Sequence, residues 1–222
     1  MESKKNSLIT LGLSLGIICA VASCVLAFTS VVTKEPIVKN LQEKENKALR
    51  QILPAFNNEP INEKLLFNCN GHEVVFYPAK ENGTLVSIAA GTVTSKGFGG
   101  KLTVMLSISP DGKMSNVIVT QNNETPGLGT VVTDRKKMKT IVDILSGTKE
   151  ENGLPANKVL DSFNGHNTAE APWQVKKDGG TIDAVTGATI SSRAVTDGVN
   201  TIAIAFNSNK NEILAKFAEK KD

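Results

Sequence analysis

The chain is poor in the residues that most often announce a function. It has three cysteines, at positions 19, 24 and 69. Two lie in an apolar N-terminal run, which leaves Cys69 alone in the remainder. Neither a disulfide framework nor a Cys-x-x-Cys metal site fits that distribution. The two histidines, His72 and His166, are far apart in sequence, which argues against a His-rich metal site or a histidine relay. One tryptophan, one tyrosine and a net charge of +3 built from mixed signs leave no basic stripe with interleaved aromatics. Nucleic acid is therefore not an expected partner. At 222 residues the chain suits one soluble domain with additions.

What is present begins with a long apolar run. Leu8 to Val32 carries no charge, and its length suffices to cross a hydrocarbon core as a helix. Lys4 and Lys5 precede it, whereas Lys34 and Glu35 follow, so the positive-inside bias puts the N-terminus in the cytoplasm and the rest outside. A cleaved signal peptide would have a shorter apolar core. A lipoprotein signal at Cys24 would normally be followed by polar residues, and Val25 and Leu26 follow it here. A retained single span is the favoured reading, over a buried core helix as well. From Pro36 to Leu53 the pattern stays helical but turns amphipathic, as a stalk would, with Pro36 opening a new helix. Pro54 to Asn70 reads as irregular.

The soluble part reads as strands, then helices. Strands are expected at Glu73–Tyr77, Leu85–Thr94, Lys101–Ser109 and Met114–Gln121. The last two flank Ser109-Pro110-Asp111-Gly112 and should form a hairpin. Val131 to Leu145 has helical periodicity that ends near Gly147, and Asn152 to Glu170 is loop-like. Trp173 is a core residue or a neighbour of a bound ring. A helix is expected from 190 to about 206, with a Lys-rich tail at 210–222 that continues it or frays.

Three stretches carry chemical information. Lys96-Gly97-Phe98-Gly99-Gly100 cannot be a stable element; it is a strand connection or a place where backbone approaches a flat ligand. Glu124-Thr125-Pro126-Gly127-Leu128-Gly129 is a tight turn that holds Leu128 at its tip, as a plain turn contact or as a wall for a ring. In Asp183-x-x-Thr186-Gly187-Ala188-Thr189 an extended segment, Thr181 to Val185, breaks at glycine and enters a helix. That shape fits an ordinary capped helix. It equally fits an anion site, because the first N–H groups of a helix lack internal partners and face the positive end of the macrodipole.

The letters of that last stretch resemble the attachment motif of proteins that carry FMN through a phosphoester to the final threonine. The order of the two glycine loops, the hairpin and this motif, together with the N-terminal span and its Thr33-Lys34-Glu35-Pro36 exit, resembles the G subunit of the Rnf complex, an ion-translocating electron-transport complex of bacterial membranes. The C subunit of the sodium-translocating NADH:quinone reductase shares the motif and the Glu-Thr-Pro-Gly-Leu-Gly loop and is the alternative. One departure is visible: many relatives place a histidine where Asn122 stands.

The resemblance implies an α+β fold, in which a single N-terminal transmembrane helix precedes a mixed, largely antiparallel FMN-binding domain. It divides the chain into an anchor at 1–33, a stalk at 34–70, the domain at 71–207 and a polar tail at 208–222. It implies covalent FMN on Thr189, with Thr186, Gly187, Ala188, Asp183, Glu124, Thr125, Gly127 and Leu128 around the cofactor or its attachment. Thr189 then tethers the flavin and is not a turnover nucleophile. The implied partners are the other members of the membrane complex and a flavin transferase, at the cytoplasmic membrane with the domain on its outer side. The rival functions are a non-redox extracytoplasmic assembly module and an enzyme that binds free FMN.

Overall fold

The computed structural model describes residues 2–135 and 154–219. The chain forms two compact units, Met1–Glu45 and Asn46–Asp222.

Helix α1, Glu2–Ile52, is one continuous helix. It is long and apolar enough to cross a membrane by length and composition. Between Leu11 and Leu41 its large apolar side chains are uncovered, with Leu26 70%, Phe28 72% and Val31 74% exposed, which suits an apolar surrounding. The hydroxyls of Ser23, Thr29 and Thr33 donate to carbonyls one turn earlier, on Cys19, Val25 and Thr29, as polar groups in hydrocarbon must. Pro36 does not open a second helix, contrary to expectation; it lies inside α1. An internal proline deletes one backbone hydrogen bond but does not oblige the helix to stop.

The second unit is built on a five-stranded antiparallel meander in the order β1-β2-β3-β4-β5. The strands are β1 Leu65–Cys69, β2 His72–Glu81, β3 Thr84–Gly97, β4 Gly100–Ile108 and β5 Met114–Gln121. Strand β1 lies where irregular chain is expected from the sequence. The turn Asn70-Gly71 accounts for it: both residues have positive φ, 52° and 80°, and join Cys69 to His72 in a two-residue hairpin. Asn-Gly favours that turn because asparagine tolerates the left-handed region and glycine has no Cβ.

The sheet is covered on both faces. Phe76, Ile88, Ala90, Val104 and Leu106 point to the C-terminal helix α4, Thr189–Glu219, which lays Val195, Val199, Ile202 and Phe206 against them. The odd-numbered neighbours Tyr77, Ala89 and Met105 face the other way, onto Ala48, Leu49 and Ile52 at the end of α1. Two buried faces explain why apolar side chains stand next to one another at Ile88–Ala90 in β3 and Val104–Leu106 in β4 instead of alternating with polar ones. Helix α4 continues past 206 to Glu219, the continuation that the sequence allows for the Lys-rich segment, and within it Ile213 and Phe217, 0% and 1% exposed, prolong the apolar stripe.

Among the described residues the unit also has two short α-helices, α2, Gly129–Thr133, and α3, Lys158–Asp161. The helix expected at Val131–Leu145 stops at Thr133, because Asp134 is extended; the expectation for 136–145 lies outside the described residues. Residues 154–170, expected to be loop, contain α3 and a 3-10 turn at Thr168–Glu170. Asn157 makes α3 possible by accepting from the N–H groups of Val159 and Leu160.

Candidate functional site

The three informative stretches converge at the start of α4. Thr186 and Gly187 form a turn in which the Ala188 N–H donates to the Val185 carbonyl at 3.0 Å. Gly187 has φ 87°, and a Cβ there would stand 3.6 Å from Leu128 Cδ2. Leu128 therefore lies across the motif from the other loop. Thr189 is the first residue of α4 and is half-buried, whereas Thr186 is exposed before the turn. Ser192 Oγ donates to the Ala188 carbonyl and accepts from the Val185 N–H, which pins the turn to the helix.

A cation stands at Thr189, and ion pairs lie on the neighbouring residues. Lys177 Nζ donates to Thr189 Oγ1 at 3.4 Å. Lys176 Nζ holds Asp183 at 2.8 Å, and Lys158 Nζ lies 3.8 Å from the same carboxylate. The hydrogen bond from Lys176 keeps the Asp183 carboxyl below the ordinary aspartate range. Asp178 is likewise held low by the bidentate Arg193 guanidinium, at 2.7 and 2.5 Å. The Thr189, Ile190 and Ser191 N–H groups sit in the first turn of a long helix, where no carbonyl of that helix can accept from them.

The Glu124–Gly129 loop has two parts with different roles. Its tip is exposed: Thr125, Pro126 and Gly127 face outward, and Leu128 is 50% exposed. The Leu128 N–H donates to the Thr125 carbonyl at 3.2 Å and the Gly127 N–H to Thr130 Oγ1 at 2.9 Å, so the tip is held without help from the core. Phe98, Val131 and Ile190 are also uncovered, at 67%, 50% and 48%. The base of the loop is buried. Glu124 is 4% exposed, and its oxygens accept from Ser191 Oγ at 2.7 Å and from the Gly99 N–H at 3.3 Å. Asn122 accepts from the Glu124 N–H and donates to Asp134, so it closes the loop as a structural residue.

Trp173, 6% exposed, packs edge-on to Phe163 at 6.2 Å and lines an open hollow of about 460 Å³ with Val175, Asp178, Arg193 and Asn200. Arg193 is one turn beyond Thr189, so the hollow runs along the same side of α4. Two site residues escape sequence reasoning. Ser191 is adjacent to the motif, but its hydroxyl looks like any helix-start serine until Glu124 is brought to it. Lys177 lies in a Lys-Lys-Asp stretch that resembles solvated surface.

The model of the FMN-binding domain family matches residues 97–203, a span that opens in the Gly97–Gly100 loop and closes within α4. The curated relatives include the G subunit of the ion-translocating oxidoreductase complex of Photorhabdus laumondii, 30% identical over 199 residues, which are 87% of this chain and 87% of the relative. The same protein of Stutzerimonas stutzeri is 30% identical over 84% of this chain and 75% of the relative. That of Shewanella piezotolerans is 28% identical over 95% of both.

Proposed function

Because the chain belongs to the family of G subunits of ion-translocating oxidoreductase complexes, we propose that it is the membrane-anchored flavoprotein of such a complex, with FMN bonded through its phosphate to the Thr189 hydroxyl. The observation that carries this reading is the position of Thr189 at the mouth of α4, with the Lys177 ammonium 3.4 Å from its oxygen. The residues present suit the group. The helix start offers N–H donors and a positive dipole end to a phosphodiester, Lys177 adds a cation, Gly187 leaves the approach open, and Leu128 supplies an apolar wall nearby.

When bound, FMN supplies one- and two-electron redox chemistry. The protein tethers it, orients it and sets its electrostatic surroundings. Thr189 keeps its bond through every turnover. The bond is made once, by a flavin transferase acting on a flavin whose phosphate already carries a leaving group, as in a dinucleotide. In that transfer Thr189 Oγ would join the flavin phosphorus as the phosphoanhydride breaks, the other nucleotide would depart as its monophosphate, and the hydroxyl proton would pass to solvent. Asp183, fixed by Lys176, and the small residues Gly187 and Ala188 present the hydroxyl to that enzyme. Thr186 and Thr125 stand at the exposed border of the site. The test is a denaturing gel of the full chain produced together with a flavin transferase. Fluorescence that travels with the unfolded polypeptide supports the reading, whereas a dark band returns the chain to a free-flavin or assembly role.

Residues 1–33 form the anchor, and the domain lies on the outer side of the cytoplasmic membrane, on the evidence of Lys4 and Lys5 before the apolar run. A reporter fused after Asp222 should be active only outside the cytoplasm; cytoplasmic activity would reverse the topology. Leu128→Ala should leave attachment intact and change the absorbance or potential of the bound flavin, since it removes an apolar wall and little else. An unchanged spectrum and potential would make Leu128 an ordinary turn residue.

A further inference from the structure

Glu124 is the most deeply buried acid at this site, and nothing in the tethering chemistry uses it. Burying a carboxylate is costly unless donors meet it. Both of its oxygens are met, one by the Ser191 hydroxyl at 2.7 Å and one by the Gly99 N–H at 3.3 Å. Ser191 is itself 1% exposed and stands two residues after Thr189 in the first turn of α4. The space for the acid is built by glycine. A Cβ at Gly97 would lie 2.6 Å from Glu124 Oε1, and one at Gly129 would lie 2.4 Å from Oε2. At Gly99 a Cβ would come within 1.9 Å of the Asn123 carbonyl oxygen, so the β3–β4 loop can close on this base only as glycine. Three separate segments are thus shaped around one carboxylate.

We propose that Glu124 is a positioning residue, whose buried carboxylate latches the first turn of α4 to the Gly97–Gly100 loop and so fixes where the Thr189 hydroxyl stands. This rests on reading Thr189 as the attachment residue. Glu124 acts through Ser191 and does not touch the flavin, because it is 4% exposed while Thr189 opens to the surface. Its carboxylate also meets the first turn of α4, at the Ser191 hydroxyl two residues after Thr189. A fixed anion there opposes the arrival of electrons on a tethered flavin, as Coulomb repulsion requires.

The experiment compares the full-length chain with Ser191→Ala, Glu124→Ala, Glu124→Gln and Thr189→Val. Each is purified without flavin and then incubated with a flavin transferase and a flavin dinucleotide. Attachment rate, thermal midpoint and the potential of the loaded protein are read. Ser191→Ala, which removes one charge-assisted bond, should slow attachment about ten-fold, and Glu124→Ala, which removes both bonds, about a hundred-fold. Glu124→Gln keeps an acceptor for Ser191. It should recover only part of the rate, because its NH2 then faces the Gly99 N–H that a carboxylate oxygen had accepted, and it should give a more positive potential because the charge is gone. Rates and potentials equal to wild type in Ser191→Ala and Glu124→Gln, with only the thermal midpoint lowered, would overturn the proposal. Should Glu124→Ala not fold, the Glu124→Gln potential decides alone, and no shift counts against the latch. Thr189→Val separates the two readings. If it still takes up flavin covalently, the attachment assignment has failed; if it is dark while Ser191→Ala behaves as wild type, only the latch has failed.

Discussion

Thr189→Val should abolish covalent flavin and reduce electron flow through the complex to background, while the protein folds, inserts and assembles. Valine keeps the β-branched shape of threonine and has a similar helix propensity. The lost polar contact is the 3.4 Å bond from exposed Lys177, which is worth about 1 kcal/mol at most. The stability cost is therefore minor, and the chemical loss should be complete, because the hydroxyl to which the account assigns the ester has been removed. Thr186→Ser, in contrast, should still be labelled, since it preserves a small hydroxyl residue in the exposed turn before Gly187. Full-strength fluorescence on denatured Thr189→Val would place the bond elsewhere.

Phe206→Ala should cost about 3–5 kcal/mol, the range for emptying a buried aromatic site. Phe206 is 0% exposed and packs against Phe76, with ring centroids 6.3 Å apart, at the seam between α4 and the sheet. A domain of this kind has about 5–15 kcal/mol in total, so the variant should unfold at clearly lower urea with an unchanged slope. Trp173 fluorescence reports it in the detergent-solubilised full chain, because the sole tryptophan is buried beside Phe163. The consequence for function is direct: α4 carries Thr189 at one end, and its seat on the sheet holds that end in place. A loss below about 1 kcal/mol would mean that the seam repacks around the missing ring.

The site is legible in the sequence where its information is local. Asp183-x-x-Thr186-Gly187-Ala188-Thr189 is one turn entering one helix, and the Glu124–Gly129 loop is one tight turn. Both can be read from neighbours in the chain. The strands β2 to β5 are legible because β-branched runs are bounded by turn residues. Strand β1 is not, because Asn68 and Cys69 dilute its apolar alternation; the Asn70-Gly71 pair holds the missing information. The far part of α4 is hidden by its lysines, although Ile213 and Phe217 keep the helical period and are buried. Glu124 stands out in the sequence, but as a residue near the cofactor. Its partner Ser191 is 67 residues away in sequence, and a contact of that kind follows only from the path of the chain between them.

The central claim is tested most directly by a peptide map of the flavin-loaded protein. After proteolysis, the fluorescent fragment is isolated and fragmented in a mass spectrometer to locate the added FMN mass. The account predicts one modified fragment that contains Asp183 to Arg193, with the added mass on Thr189 and released only by cleavage of a phosphoester. The same mass on Thr186, on any other residue, or on no residue at all would contradict it.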